Sequence, residues 1–98
     1  MSWREHISED RRLVLLRILS EVPTFAANDS VLHSAIERFA HRTTRAIVRD
    51  DLRWLEERGL VALEEVAGRT LVATLTERGG DVAGGRSQVE GVKRPSPR

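Results

Sequence analysis

Residues 43–79, TTRAIVRDDLRWLEERGLVALEEVAGRTLVATLTERG, decide the fold. Thr44 caps a helix whose inner face is Val48, Leu52 and Leu55, with Ile47 and Trp54 flanking it. Gly59 stands where a helix needs a left-handed C-terminal residue. Leu60–Val66 and Leu71–Leu75 are short runs rich in β-branched residues, separated by AGRT with Gly68 as the turn residue. Thr76 and Glu77 then open a further helix. Helix 44–58, hairpin 60–75 and a renewed helix start make the order of a winged helix-turn-helix, a mainly α fold with a small β-hairpin (α+β). In that fold the helix enters the major groove of DNA and the hairpin touches the backbone.

Upstream, Ser2 and Glu5 fit a capping box for a first helix starting at Trp3, and Pro23 ends it. A restart near Ser8 fits equally well, because Glu9 and Asp10 complement a helix dipole. Trp3, Ile7, Val14, Ile18 and Val22 recur at helical spacing, while Leu13, Leu15, Leu16 and Leu19 widen the apolar surface. A helix apolar over more than one face is central or contacts a partner. Asn28 and Asp29 cap a second helix, with Leu32, Ala35, Ile36 and Phe39 as its apolar stripe. His41–Thr44 leaves room for a turn alone. The paired glycines at 79–80 and 84–85 predict a weak or short last helix.

These elements place one winged helix-turn-helix domain at residues 1–83. Residues 84–98, GGRSQVEGVKRPSPR, hold little apolar content and four basic residues, and are expected to form a flexible basic tail. If the tail is docked instead, Val89 and Val92 are its anchors.

The row Arg45, Arg49 and Arg53, with Arg42 just before it, places guanidinium groups at four-residue spacing along one side of the helix. Arginine suits bidentate phosphate and guanine contacts, and every basic residue except Lys93 is arginine. Thr43 and Thr44 offer hydroxyl and N–H groups to a phosphate. Arg69, at the hairpin tip, is a second phosphate candidate. Arg86, Lys93, Arg94 and Arg98 could add non-specific contacts, though solubility explains them as well. Against this stand Asp50, Asp51, Glu56 and Glu57 on the same helix, available to pair with its arginines. The net charge of only +1 is modest for a DNA binder.

Composition narrows the remaining classes. At 98 residues with four aromatics, the core must be built from Leu, Val, Ile and Ala, and dimerisation is one way to bury more surface. The absence of cysteine excludes disulfides, a thiolate metal site and a Cys nucleophile. His6, His33 and His41 have no metal-ligand spacing, and no nucleophile elbow or phosphate-cradling loop occurs. No cofactor, metal or enzymatic activity is therefore expected. No apolar run approaches a membrane span, and the opening MSWREHISEDRR is charged rather than signal-like, so a cytoplasmic protein without membrane contact is expected. Trp3 and Trp54 are expected in the core or an interface.

The segment LxWLxxxGLV (Leu52, Trp54, Leu55, Gly59, Leu60, Val61) followed by LTxxG (Leu75, Thr76, Gly79) resembles bacterial winged-helix regulators of the ArsR and MarR type. With MSWREH and GVKRPSPR at the two ends, the chain also resembles short proteins of Mu-like phages and prophages labelled as ArsR-family regulators. The expected function is a transcriptional regulator of phage or prophage type binding double-stranded DNA, as a homodimer formed through the surplus apolar surface of the first helix with the last helix. The resemblance itself implies the fold, with Leu52, Leu55, Leu60 and Leu75 in the core, Gly59 and Gly68 at turns and Arg45, Arg49 and Arg53 facing outward. It does not imply metal-responsive repression, because the metal-sensing thiols are missing. A winged helix serving protein–protein contact in phage assembly, DNA packaging or host takeover is the alternative, with a phage or host protein as partner.

Overall fold

The Ser2 side chain accepts a hydrogen bond from the Glu5 N–H at 3.1 Å, and this cap starts a continuous helix α1 (Trp3–Glu21) with no restart at Ser8. Val22 turns to extended backbone directly before Pro23, as a pre-proline residue must. The computed structural model describes residues 2–39 and 41–96. Leu13, Leu15, Leu16 and Leu19 of α1 are all buried. They cover a wide arc because α2, α3 and the sheet pack on one side of α1 and α4 packs on another.

A short strand follows that the sequence did not announce. β1 (Ala26–Asn28) is three residues long, without β-branched side chains or alternation to mark it. It pairs with β3 in register Ala27↔Ala73, and the Leu75 N–H donates to the Phe25 carbonyl at 2.8 Å just beyond it. Asn28 then caps α2 (Asp29–Glu37) by accepting from the Val31 N–H at 2.8 Å. Leu32 and Ile36 are buried as expected, but Phe39 is not part of the inner stripe. It lies beyond the last helical residue and stands 57% exposed.

Thr44 caps α3 (Arg45–Glu57) through the Ile47 N–H at 3.1 Å. Gly59, at φ +75°, ends it: the Gly59 and Leu60 N–H groups return to the Glu56 and Leu55 carbonyls. β2 (Val61–Val66) and β3 (Thr70–Leu75) form the hairpin, and the three-stranded antiparallel sheet has the order β1-β3-β2. Ala67 and Gly68 both adopt positive φ, which gives the turn the hand that right-twisted strands require.

Thr76 caps α4 (Glu77–Ala83) and also donates its hydroxyl to the Gly59 carbonyl at 2.7 Å. The glycines that predicted a weak helix have a steric purpose here. A Cβ on Gly79 would overlap the Leu60 carbonyl, so α4 lies close to the start of β2 only because position 79 has no side chain. The architecture is a winged helix-turn-helix: a helical core, a recognition-helix position filled by α3, and a wing formed by β2 and β3.

The segment after Gly84 departs from the flexible tail expected of it. Val92 is buried and Val89 packs against the core, the two anchors foreseen for a docked tail. Arg12 Nη1 donates to the Gly91 carbonyl at 2.9 Å, and the Lys93 N–H donates to the Glu9 carbonyl at 3.2 Å. Gly91, at φ +98°, lies so close to the Trp54 ring that a Cβ would collide with it. Two valines among charged residues are enough because a groove between α1 and Trp54 receives them. Lys93 pairs with Asp10 and Arg86 with Asp81, so two of the tail cations are matched within the fold. Arg98 lies outside the described residues.

Candidate nucleic-acid interface

α3 and the wing share one surface, and its electrostatics turn on an acid from a third element. Asp29, first residue of α2, has a side chain with no solvent exposure. Its Oδ1 accepts from Arg45 Nη2 at 3.1 Å and its Oδ2 from Arg49 Nη1 at 2.6 Å. The Ser30 N–H adds a bond at 2.9 Å. Burial alone would push this carboxyl up. Hydrogen bonds from Arg45 and Arg49, the Arg45 charge and the Leu71 N–H outweigh it and hold the group below its ordinary range.

Arg49 Nη1 also donates to the Arg69 carbonyl at the wing tip, at 2.7 Å. One guanidinium therefore links α2, α3 and the wing. Arg45 keeps 45% of its side chain exposed and Arg49 only 26%. Thus the evenly spaced row of the sequence divides in space. Arg45 and Arg49 lean on Asp29, whereas Arg53 is exposed with no hydrogen bond or ion pair among the described residues. Arg42 and Arg69 are likewise exposed.

The threonines are placed differently from expectation. The Thr43 hydroxyl is buried without a hydrogen-bond partner, so it cannot serve a phosphate. The Thr44 hydroxyl is engaged as the α3 cap yet remains at the exposed end of the helix. Ala46, Ile47 and Asp50 complete the exposed face of α3 near Arg53. Ile47, placed by sequence beside the core stripe, is 39% exposed.

Of the four acids on α3, Asp51 leaves this surface altogether. It is buried and pairs with Arg11 and Arg12 of α1, the latter at 3.7 Å. Its charge is therefore spent on holding α3 to α1. Asp50, Glu56 and Glu57 remain exposed. Further along α3, Trp54 carries the guanidinium groups of Arg12 (4.0 Å to the ring centroid) and Arg58 (3.7 Å) over its ring. This is a structural stack that also seats the tail. Trp3, by contrast, is 78% exposed and belongs to no core.

Sequence reasoning missed Asp29 as a partner of the arginines because its position before a helix already explained it as a cap. Its burial depends on β1, the strand with no sequence signature. Among the described residues, no group of three or more His, Asp or Glu converges to hold a metal ion, and no helix is long and apolar enough to cross a membrane.

The structure is similar to solved winged-helix regulators. A MarR family transcriptional regulator from Streptomyces coelicolor, Sco3205, in complex with DNA, matches with a TM-score of 0.60 at 23% identity. The match covers 78% of this chain and 48% of that one. A complex structure of hsRosR-S1 matches with a TM-score of 0.63 at 23% identity, over 74% of this chain and 62% of that one. The chain thus spans less than two thirds of these structural neighbours, and the likeness establishes the winged-helix fold. MarR is one of the two regulator types that the sequence resembles. No protein-family model matches the chain. In sequence, it is 41% identical over 78 residues to an uncharacterized protein of Haemophilus influenzae, covering 80% of this chain and 76% of that one. It is 47% identical over 92 residues to the uncharacterized protein gp26 of Escherichia phage Mu, covering 94% of each. The chain belongs to the family of phage Mu gp26.

Proposed function

We propose that this chain is a sequence-specific DNA-binding transcriptional regulator of phage or prophage type, acting as a homodimer in the cytoplasm of the bacterial host. In this reading it is not an enzyme. Helix α3 enters the major groove and the β2–β3 wing lies on the backbone. Arg42, Arg45, Arg53 and Arg69, with Thr44 at the helix start, form the contact set, and Arg49 joins α3 to the wing beside them. Thr43 leaves that set because its hydroxyl is buried. The observation that carries the reading is the junction of α3 and the wing through Arg49, which makes one basic surface of two elements distant in sequence. A MarR-family regulator of the same fold, solved in complex with DNA, supports a DNA-binding role.

Dimerisation is supported by a stripe on α1. Trp3, Ile7, Val14 and Ile18 fall within roughly 60° of arc at 100° per residue, and none is fully buried. Phe39 extends the stripe, and Arg17 and Glu21 border it. The last helix, expected to share the interface, offers less apolar surface to it. Val82 and Ala83 of α4 are buried within their own chain. A two-fold dimer on α1 would set two α3 helices about one turn of DNA apart.

The experiment is binding of purified protein to duplex DNA from its own upstream region against scrambled duplex. Tighter binding to the upstream duplex supports the regulator, and equal or absent binding counts against it. A second reading, a protein-interaction module in phage assembly, packaging or host takeover, is favoured by the exposed Asp50, Glu56, Glu57, Glu64 and Glu65 on α3 and β2. It predicts no affinity for duplex even at low salt.

A further inference from the structure

We infer that Asp29 and Arg49 are positioning residues that fix the angle between the wing and α3, and that Arg49 is a strut between them rather than a groove-reading side chain. Arg49 has two acceptors already: the Asp29 carboxylate at 2.6 Å and the Arg69 carbonyl at 2.7 Å. Both bonds use Nη1, and only 26% of the side chain meets solvent. With Nη1 engaged by two acceptors and most of the side chain covered, Arg49 is poorly placed to meet a phosphate.

The anchor itself is rigid. Asp29 follows β1, whose residue Asn28 pairs with Val72 of β3, so the acid is tied to the second strand of the wing. The second strand of the wing and its tip are thus both referred to the same acid, the strand through the β1–β3 pairing and the tip through Arg49. Arg45 is held by a single nitrogen at 3.1 Å and stays 45% exposed, so the clamp orients it without consuming it. Contacts to DNA then fall to Arg42, Arg45, Arg53 and Arg69, whose spacing depends on the strut.

This assignment rests on the proposed function for its DNA arm alone, since the strut is a property of the free protein. The test is hydrogen exchange of the free protein, wild type against Arg49→Ala and Arg49→Lys, followed by DNA binding across a salt series. In R49A the amides of residues 64–72 should exchange about tenfold faster, while those of α1 residues 13–19 keep their rates. R49K, able to reach one acceptor, should fall between. R49A should weaken DNA binding about tenfold with the salt slope unchanged, whereas Arg53→Ala should lower the slope by about one phosphate contact. Unchanged hairpin exchange in R49A overturns the strut. Equal acceleration in α1 overturns it too, since that means general destabilisation. A slope reduced by about one in R49A overturns the claim that Arg49 does not meet phosphate. Absence of DNA binding by the wild type overturns the proposed function, and hydrogen exchange then decides the strut by itself.

Discussion

The Asp29 carboxylate, with no solvent exposure, receives Arg49 Nη1 at 2.6 Å across the junction of α2 and α3. Two of the three arginines that give α3 its basic appearance therefore share one acid from another element, which offsets one of their two charges. The charge available to a polyanion is smaller than the sequence suggests, and more precisely placed.

This pair gives the protein an acid-sensitive element. A carboxyl held below its ordinary range contributes stability that is fully present above the unfolded value of about 3.9 and is lost as pH falls through the folded value. Urea unfolding of the wild type should show a fall in stability below about pH 4 that Asp29→Asn lacks. At neutral pH, Asp29→Ala should cost about 1–3 kcal/mol, because its half-exposed arginine partners can regain water.

Much of the fold was legible in the chain, and the exceptions share a cause. Ser2, Asn28, Thr44 and Thr76 each cap a helix through their own side chains, so local chemistry identifies those starts. Gly59 and Gly68 mark their turns for the same reason. What escaped depends on contacts between distant residues. β1 exists because β3 offers a free edge. The tail is ordered because a groove beside Trp54 accepts Gly91 and Val92. The partners of Arg45 and Arg49 could not be read from α3, since Asp29 lies 16 and 20 residues away.

Gly79→Ala sets propensity against packing. On an exposed helix this change would gain about 1 kcal/mol. Here the added Cβ meets the Leu60 carbonyl, so thermal unfolding should report a net loss of about 1–3 kcal/mol. A stabilised variant would mean that α4 does not approach β2 so closely.

Docking of the tail predicts a cost for a substitution outside every regular element. Val92→Ala should lower stability by about 1–2 kcal/mol, as expected for a valine that is only 6% exposed. A freely moving tail would give no change in the same denaturation experiment.

The exposed stripe on α1 predicts the oligomeric state. Trp3→Glu and Phe39→Glu alter residues that are 78% and 57% exposed, so each variant should fold. Sedimentation equilibrium should give twice the chain mass for the wild type and a single chain mass for the double variant. Identical masses for both would remove this face from the interface.

The account depends most on DNA binding through α3 and the wing, and the direct measurement is fluorescence anisotropy with the upstream duplex and a scrambled one, each titrated with salt. It predicts tighter binding to the upstream duplex and a log–log slope that corresponds to several phosphate contacts, reduced by about one in Arg53→Ala. No binding at low salt, or a folded R53A variant with unchanged affinity and slope, would contradict it.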